Sequence, residues 1–334
     1  LKYGPFLLGR TNILNIDLWQ PSATIETLRK RGQLLADIRV FFALRDVLEV
    51  DVPVLSQAAV SDPFIDAMRV EYRHFVEDIS SDFFLQSSPE YAMKRLLAAG
   101  SGCIYQMSKV FRNGEIGRKH NPEFTMLEWY RLDFDEHQLM DEVAHLIASV
   151  TAITGIQKLS YKAVFKHYLD LDINCASDEL LAQTMRKHIE VIGDYDRDGW
   201  LNLLMSHCIE PQLKGAVFIY DYPASQAALA KVKQDCEGIA VAARFELFID
   251  GVELANGYHE LTDSYEQLRR FEADQQQRAQ LNLPQRPIDM RLVEALSQGM
   301  PNCAGVALGV DRLLMIALKK EHIKEVLPFD IERA

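Results

Sequence analysis

Two strand-forming runs, Cys103–Phe111 and Glu123–Arg131, are joined by a short charged loop from Arg112 to Pro122, and this constrains the chain more than any other feature. A loop of that length turns the chain back beside itself, whereas a parallel neighbour needs a crossover of a dozen or more residues, so the pair is antiparallel. Further strands are expected near Val217–Tyr220, Arg244–Ile249, Val252–Asn256 and Gly305–Gly309. Helical spacing marks about 25–44, Pro89–Ala99, about 263–281, 289–298 and 311–319. The first helix feeds a strand, Val47–Pro53, closed by its proline. Ser87 or Ser88 is the expected N-cap of the second, because a serine hydroxyl accepts from the orphan amides of a first turn. Helices at about 135–153, 160–169, 177–189 and 199–209 make a mostly helical stretch, read as a small insertion over about 155–215. Antiparallel strand pairs with segregated helices define an α+β fold, an antiparallel β-sheet flanked by helices, not a repeating βαβ sheet. Residues 1–18 lack periodicity and read as an N-terminal extension or arm; residues 19–334 form the catalytic-sized domain.

The 334 residues suffice for a large core, since the buried fraction reaches roughly 75% near ~300 residues. A net charge of −12 excludes capture of nucleic acid or an anionic membrane by global positive charge. The five cysteines are scattered, with no C-x-x-C pair and no zinc spacing, as in a reduced cytosolic protein. Pro5-Phe6-Leu7-Leu8 is the longest apolar run near the start, far short of a signal or membrane segment, so a cytoplasmic location without membrane contact is expected.

Three elements carry chemistry. Phe111-Arg112-Asn113-Gly114-Glu115 precedes Glu123-Phe124-Thr125-Met126-Leu127-Glu128-Trp129-Tyr130, which sets an arginine at one strand end against acids and aromatics on the returning strand. Arginine suits phosphate because its planar fork binds two oxygens and stays charged. Phe124 is placed to stack on a base, and Glu115, His120 and Asn121 offer polar contacts. Gly305-Val306-Ala307-Leu308-Gly309-Val310-Asp311-Arg312 is a glycine-punctuated strand entering a helix, with Arg312 in its first turn. Glu253 and Glu260 bracket Leu254-Ala255-Asn256-Gly257 as hard oxygen donors for Mg²⁺ on nucleotide phosphates. Met107-Ser108-Lys109 falls on an expected strand and is assigned to it.

Together and in this order, these elements resemble the class II aminoacyl-tRNA synthetase catalytic domain, closely its lysyl branch, over about residues 25–330. FRNGE…HNPEFTMLEW is similar to the family's motif 2, GVALGVDR to motif 3, and Leu28–Pro53 to the dimer-forming motif 1. The resemblance implies ATP held against Arg112, Asn113, Gly114, Glu115, His120, Asn121, Phe124, Glu253, Leu254, Gly309 and Arg312, with Arg112 on the α-phosphate and Arg312 at the far end. It implies Mg²⁺ on Glu253 and Glu260, and an amino-acid pocket lined by Ser88, Pro89, Glu90, Glu128, Tyr130, Glu260 and Ala307. Glu90 and Glu128 are both candidates for the substrate amine.

Two departures stand out. No room precedes motif 1 for the anticodon-reading β-barrel, so tRNA is not the expected partner. Ala307 and Ser88 stand where the lysyl branch has glycine and alanine, and one added group in a snug pocket is worth ~1–3 kcal/mol of discrimination. Both resemble the truncated lysyl paralogues that modify elongation factor P. That resemblance implies a homodimeric, AMP-forming ligase that activates (R)-β-lysine with ATP and transfers it to a lysine of elongation factor P. The alternatives are an amide-forming ligase on a small amine and a catalytically silent regulator; retention of Arg112, Glu115, Glu253, Glu260 and Arg312 speaks against silence.

Overall fold

The computed structural model describes residues 18–73, 80–191 and 193–334. The expected extension over residues 1–18 lies, apart from Leu18, outside the described residues. In chain order the elements are α1 (Ile25–Ala43), β1 (Leu48–Glu49), β2 (Leu55–Ser56), β3 (Arg69–Arg73), β4 (Ser80–Leu85), α2 (Glu90–Ala98), β5 (Ile104–Phe111) and β6 (Glu123–Leu132). Then follow α3 (Glu136–Val150), β7 (Gln157–Ser160), α4 (Tyr161–Leu169), α5 (Asp178–Arg186), α6 (Arg197–Leu204), β8 (Ala216–Pro223), β9 (Val232–Gln234), β10 (Ala240–Ile249) and β11 (Val252–His259). The chain ends through α7 (Ser264–Gln280), α8 (Met290–Ser297), β12 (Cys303–Gly309) and α9 (Val310–Ala317).

Among the described residues one nine-stranded sheet runs β1-β5-β6-β12-β11-β10-β8-β7, with β9 added on β10. Its central pairs are antiparallel, as expected, while the outermost pairs β1/β5 and β7/β8 are parallel, which makes the sheet mixed. Side-chain alternation gives the sheet two faces. Leu127 and Trp129 of β6, Val306 and Leu308 of β12, and Phe245 and Leu247 of β10 point to one side, where they are buried under α1, α3 and α9. The other side is covered only at its two ends. Near β5 and β6, Ile104 and Tyr130 pack with α2, α7 and α8. Near β8 and β10, Val217, Ile219 and Phe248 pack with α4, α5 and α6, around Trp200 and Phe165. The uncovered middle of that face is the floor of the cleft described below.

Several local expectations are corrected. The strand after α1 is only Leu48–Glu49, because beyond Val50, whose amide still donates to the Tyr105 carbonyl at 2.9 Å, the chain leaves β5 toward a separate three-stranded sheet, β2-β4-β3. That sheet was not foreseen; β3, Arg-Val-Glu-Tyr-Arg, does alternate charged with apolar residues, but it is only five residues long and exposed at four of them. The N-cap of α2 is Pro89, neither serine, although the Ser88 hydroxyl accepts from the Glu90 amide at 3.0 Å. The helix expected over 199–209 closes as a π-turn, Met205–Ile209. The Glu210 carbonyl that follows would stand 2.4 Å from any Cβ at residue 251, so only glycine fits the β10–β11 turn, where φ is +72°.

Candidate active site

The open middle of the sheet floors a cleft of about 350 Å³, and its two ends differ in charge. At one end stand Arg112 and Arg312. Arg112 leaves β5 at the loop, which is closed by its amide donating to the Pro122 carbonyl at 2.9 Å. Its guanidinium lies 5.3 Å from the centre of the Phe124 ring and 3.7 Å from Glu115. Its Nε is buried without a hydrogen-bond partner, a donor aimed at a group not supplied by the described residues. Arg312 donates to the carbonyls of Glu253 at 2.8 Å and Lys119 at 3.2 Å, and to His120 Nε2 at 2.7 Å. Burial and the charge of Arg312 lower the pKa of His120 and of Lys119, so the imidazole is neutral and accepts. Behind this end, the buried Asp311 accepts from Arg31 of α1 and, at 2.7 Å, from the Thr125 amide; Arg31 also donates to Thr125 Oγ1 at 2.7 Å. One buried tie thus links the first helix to the residues beside Arg312 and Phe124.

At the other end stand three carboxylates. Glu128 accepts from the Tyr130 hydroxyl at 2.6 Å and from Ser88 Oγ at 2.7 Å. Burial, reinforced by the charge of Glu90, pushes its carboxyl up to about 8. Glu90 and Glu260 each meet Lys94 Nζ at 2.6 Å, and the Lys94 side chain is wholly buried. Burial raises Glu260 to about 7 against the opposing pull of Lys94. For Lys94 burial works to lower the pKa, but Glu260 and Glu90 overcome it and hold the ammonium charged. Gly305 makes room here, since a Cβ would come within 2.3 Å of the Tyr130 ring and 2.4 Å of Glu260 Oε1.

The structure brings together most of the sequence-expected residues. Ser88, Glu90, Glu128, Tyr130, Glu260 and Ala307 line the acidic end. Arg112, Glu115, His120, Asn121 and Phe124 line the cationic end, with Glu253, Leu254, Gly309 and Arg312. Three expected residues lie elsewhere. Asn113 donates to Asp66 at 2.7 Å, Gly114 takes a positive φ in the loop, and Pro89 faces a neighbouring cavity of about 320 Å³. The pairing of Glu253 with Glu260 is not what the structure favours. Glu260 belongs with Glu90, Glu128 and Lys94, whereas Glu253 has Glu246 and Glu210 as its acidic neighbours. Burial, then Glu246 and Glu253, raises Glu210 to about 7. Burial also raises Glu246 against the pull of its ion pair with Arg244. Among the described residues no three such side chains form a ready metal cluster. Sequence reasoning missed Glu246, Arg244, Asn256 and Tyr258, which all line the cleft. The signal available was alternation along the two strands it had already placed.

A mixed sheet with this order, an arginine at the end of one floor strand, an arginine opening the helix after another and acids between them define a carboxylate-activating fold. The profile of the tRNA synthetases class II (D, K and N) matches residues 11–333, and the chain belongs to that family. It is also similar, over 95% of its length, to three bacterial proteins named elongation factor P–(R)-β-lysine ligase. Identity is 48% to that of Haemophilus ducreyi over 97% of the relative, 49% to that of Pasteurella multocida over 98%, and 50% to that of Photorhabdus laumondii over 98%.

Proposed function

We propose that this protein activates (R)-β-lysine with ATP and transfers it to a lysine ε-amine of elongation factor P. The observation that carries the proposal is the division of the cleft: a cationic end that suits a nucleotide, an acidic end that suits amines, and both substrate-branch departures meeting on one carboxylate. Ser88 donates to Glu128, and Ala307 is the cross-strand partner of Glu128. A changed position of one amine is read there.

In the first step a carboxylate oxygen of the amino acid attacks the α-phosphorus of ATP, the bond to pyrophosphate breaks, and an acyl-adenylate remains. Arg112 and Arg312 neutralise charge on the phosphates, while Glu90, Glu128 and Glu260 hold the amines, so the carboxylate is presented in line. In the second step the acceptor amine, having given up its proton, attacks the acyl carbon and expels AMP. Mg²⁺ would sit on Glu246 and Glu253 beside the phosphates, where it would supply charge neutralisation; hard carboxylate oxygens suit it.

The protein acts as a homodimer in this reading. Ile25 and Val40 of α1, its C-cap Leu44, and Leu48 of β1 are large apolar side chains more than half exposed, a concentration that an isologous contact would cover. No described helix is long and apolar enough to cross a membrane, and a cytoplasmic site of action is proposed with the translation factor as acceptor. ATP–pyrophosphate exchange with (R)-β-lysine against α-lysine, followed by labelling of elongation factor P, tests the function. Exchange confined to α-lysine, or no labelling, overturns it.

A further inference from the structure

Lys94 lies on α2 behind the acidic end of the cleft, which it does not line. Its side chain has no solvent exposure, and its ammonium is 2.6 Å from Glu90 Oε1 and 2.6 Å from Glu260 Oε2. A lysine with this much burial is rare unless paired, and this one is paired twice. The two contacts leave Glu260 Oε1 over Gly305 on the sheet floor and the second oxygen of Glu90 for the cleft. The other groups that face this cluster include Glu128 and Tyr130 on β6, Tyr258 on β11, Tyr91 on α2, Cys303 on β12, and His259 beside Glu260.

We propose that Lys94 is a positioning and specificity residue that fixes the amine pocket at two negative charges, the complement of a diamino acid. Three carboxylates against one ammonium leave two charges to be met from the cleft. An amino acid with two ammonium groups meets both, once its carboxylate is engaged at the nucleotide end. A monoamino acid meets only one of them, so one carboxylate must keep a proton and is lost as an acceptor for a second ammonium. Without Lys94 the pocket would hold three carboxylates against two ligand charges, and one of them would take up a proton. Lys94 also turns the two glutamates, because each keeps one oxygen on the ammonium and only the other is free for substrate.

The inference rests on a diamino acid being the substrate, and the experiment separates the two. Binding of (R)-β-lysine to the full-length protein is followed by calorimetry at pH 7 in two buffers of different ionisation enthalpy, for wild type and Lys94→Met. Wild type should release about one proton per site on binding, because the vacant pocket holds one that the second ammonium displaces. Lys94→Met should release no more than wild type, because its loaded pocket keeps a proton, but its KM for (R)-β-lysine should rise about tenfold or more with KM for ATP unchanged. Lys94→Arg, which keeps the charge, should recover most of that KM loss even where Lys94→Met fails to fold. An unchanged KM for (R)-β-lysine in Lys94→Met, no release by wild type, or a KM in Lys94→Arg as high as in Lys94→Met overturns the role. Absence of exchange with any diamino acid overturns the proposed function instead, whatever the proton count.

Discussion

Replacing Arg31 by methionine tests whether the buried tie beneath the nucleotide end holds the fold as well as the site. The Arg31 and Asp311 side chains are 10% and 2% exposed, and Arg31 donates to both Asp311 and Thr125. Methionine fills much of the space but leaves the Asp311 carboxylate buried with only the Thr125 amide at 2.7 Å. Breaking a buried pair by removing one partner costs about 3–5 kcal/mol. The surviving amide bond sets the expectation at the lower end, about 3 kcal/mol, or roughly a hundredfold in the folded-to-unfolded ratio. Urea unfolding at pH 7 reads this as a lower midpoint with an unchanged slope. Arg31→Met/Asp311→Asn should recover most of the loss, because a neutral amide carries no unpaired charge. KM for ATP should also rise in the single variant, since Arg312 and Phe124 adjoin the two residues released. A loss under about 1 kcal/mol, the range of an exposed pair, would refute the reasoning.

Gly305→Ala should cost about 1–3 kcal/mol by overpacking against Tyr130 and Glu260, and should cut exchange with (R)-β-lysine more than ATP binding; wild-type exchange would contradict the packing given for the acidic end. Ala307→Gly removes a methyl opposite Glu128 and should move the preference toward α-lysine by about tenfold in kcat/KM. An unchanged β-to-α ratio takes Ala307 out of the specificity argument. Glu136 is held at about 2 from an ordinary 4.5, because bonds from His259 and Lys233 outweigh its burial. A depressed carboxylate contributes stability that is complete above pH ~4.5 and is lost as pH falls toward 2, worth about 3 kcal/mol. Acid unfolding of Glu136→Gln should therefore be flatter than wild type between pH 5 and 3, and parallel curves would deny the linkage. Leu44→Glu at the exposed C-cap of α1 should shift the light-scattering mass from dimer to monomer if that surface is the contact; a mass unchanged from wild type removes this end of α1 from the interface.

The β5–β6 hairpin and the β12–α9 junction were legible because their patterns are local: alternation, a polar loop, glycines before a helix start. Arg112, Phe124 and Arg312 followed from those patterns. What was hidden depended on position in the folded molecule. The small sheet is built from short, largely exposed strands: Val70 and Tyr72 alternate with charges in β3, but the two residues of β2 and the Ser-Ser-Asp-Phe-Phe-Leu of β4 carry no period that marks them. Lys94 and Arg95 read in sequence as a small basic patch on a helix, and only the packing of α2 with α8 and over Ile104 and Tyr130, beside Glu260, turns Lys94 inward. Glu253 and Glu260 look like a pair seven residues apart, yet a register shift in β10–β11 beside Glu253 and the end of β11 before Glu260 carry them to opposite ends of the cleft. Asn113 sits inside the most recognisable motif and still turns away, because Asp66 accepts both its side-chain and, through its carbonyl, its main-chain N–H.

The alternation along β6 has a consequence for how such a protein can diverge. Glu128 and Tyr130 face the cleft while Leu127 and Trp129 face the core, and β12 pairs with them residue for residue. Exchanging a side chain at 307, or at 88 with its bonds to Glu128 and the Glu90 amide, therefore alters local contacts and leaves the register standing. Losing or gaining a single residue within β6 would instead send Trp129 into the cleft and a carboxylate into the apolar layer. Substitutions are the permitted currency of change on this floor, and length variation belongs to the loops at its ends, such as 112–122.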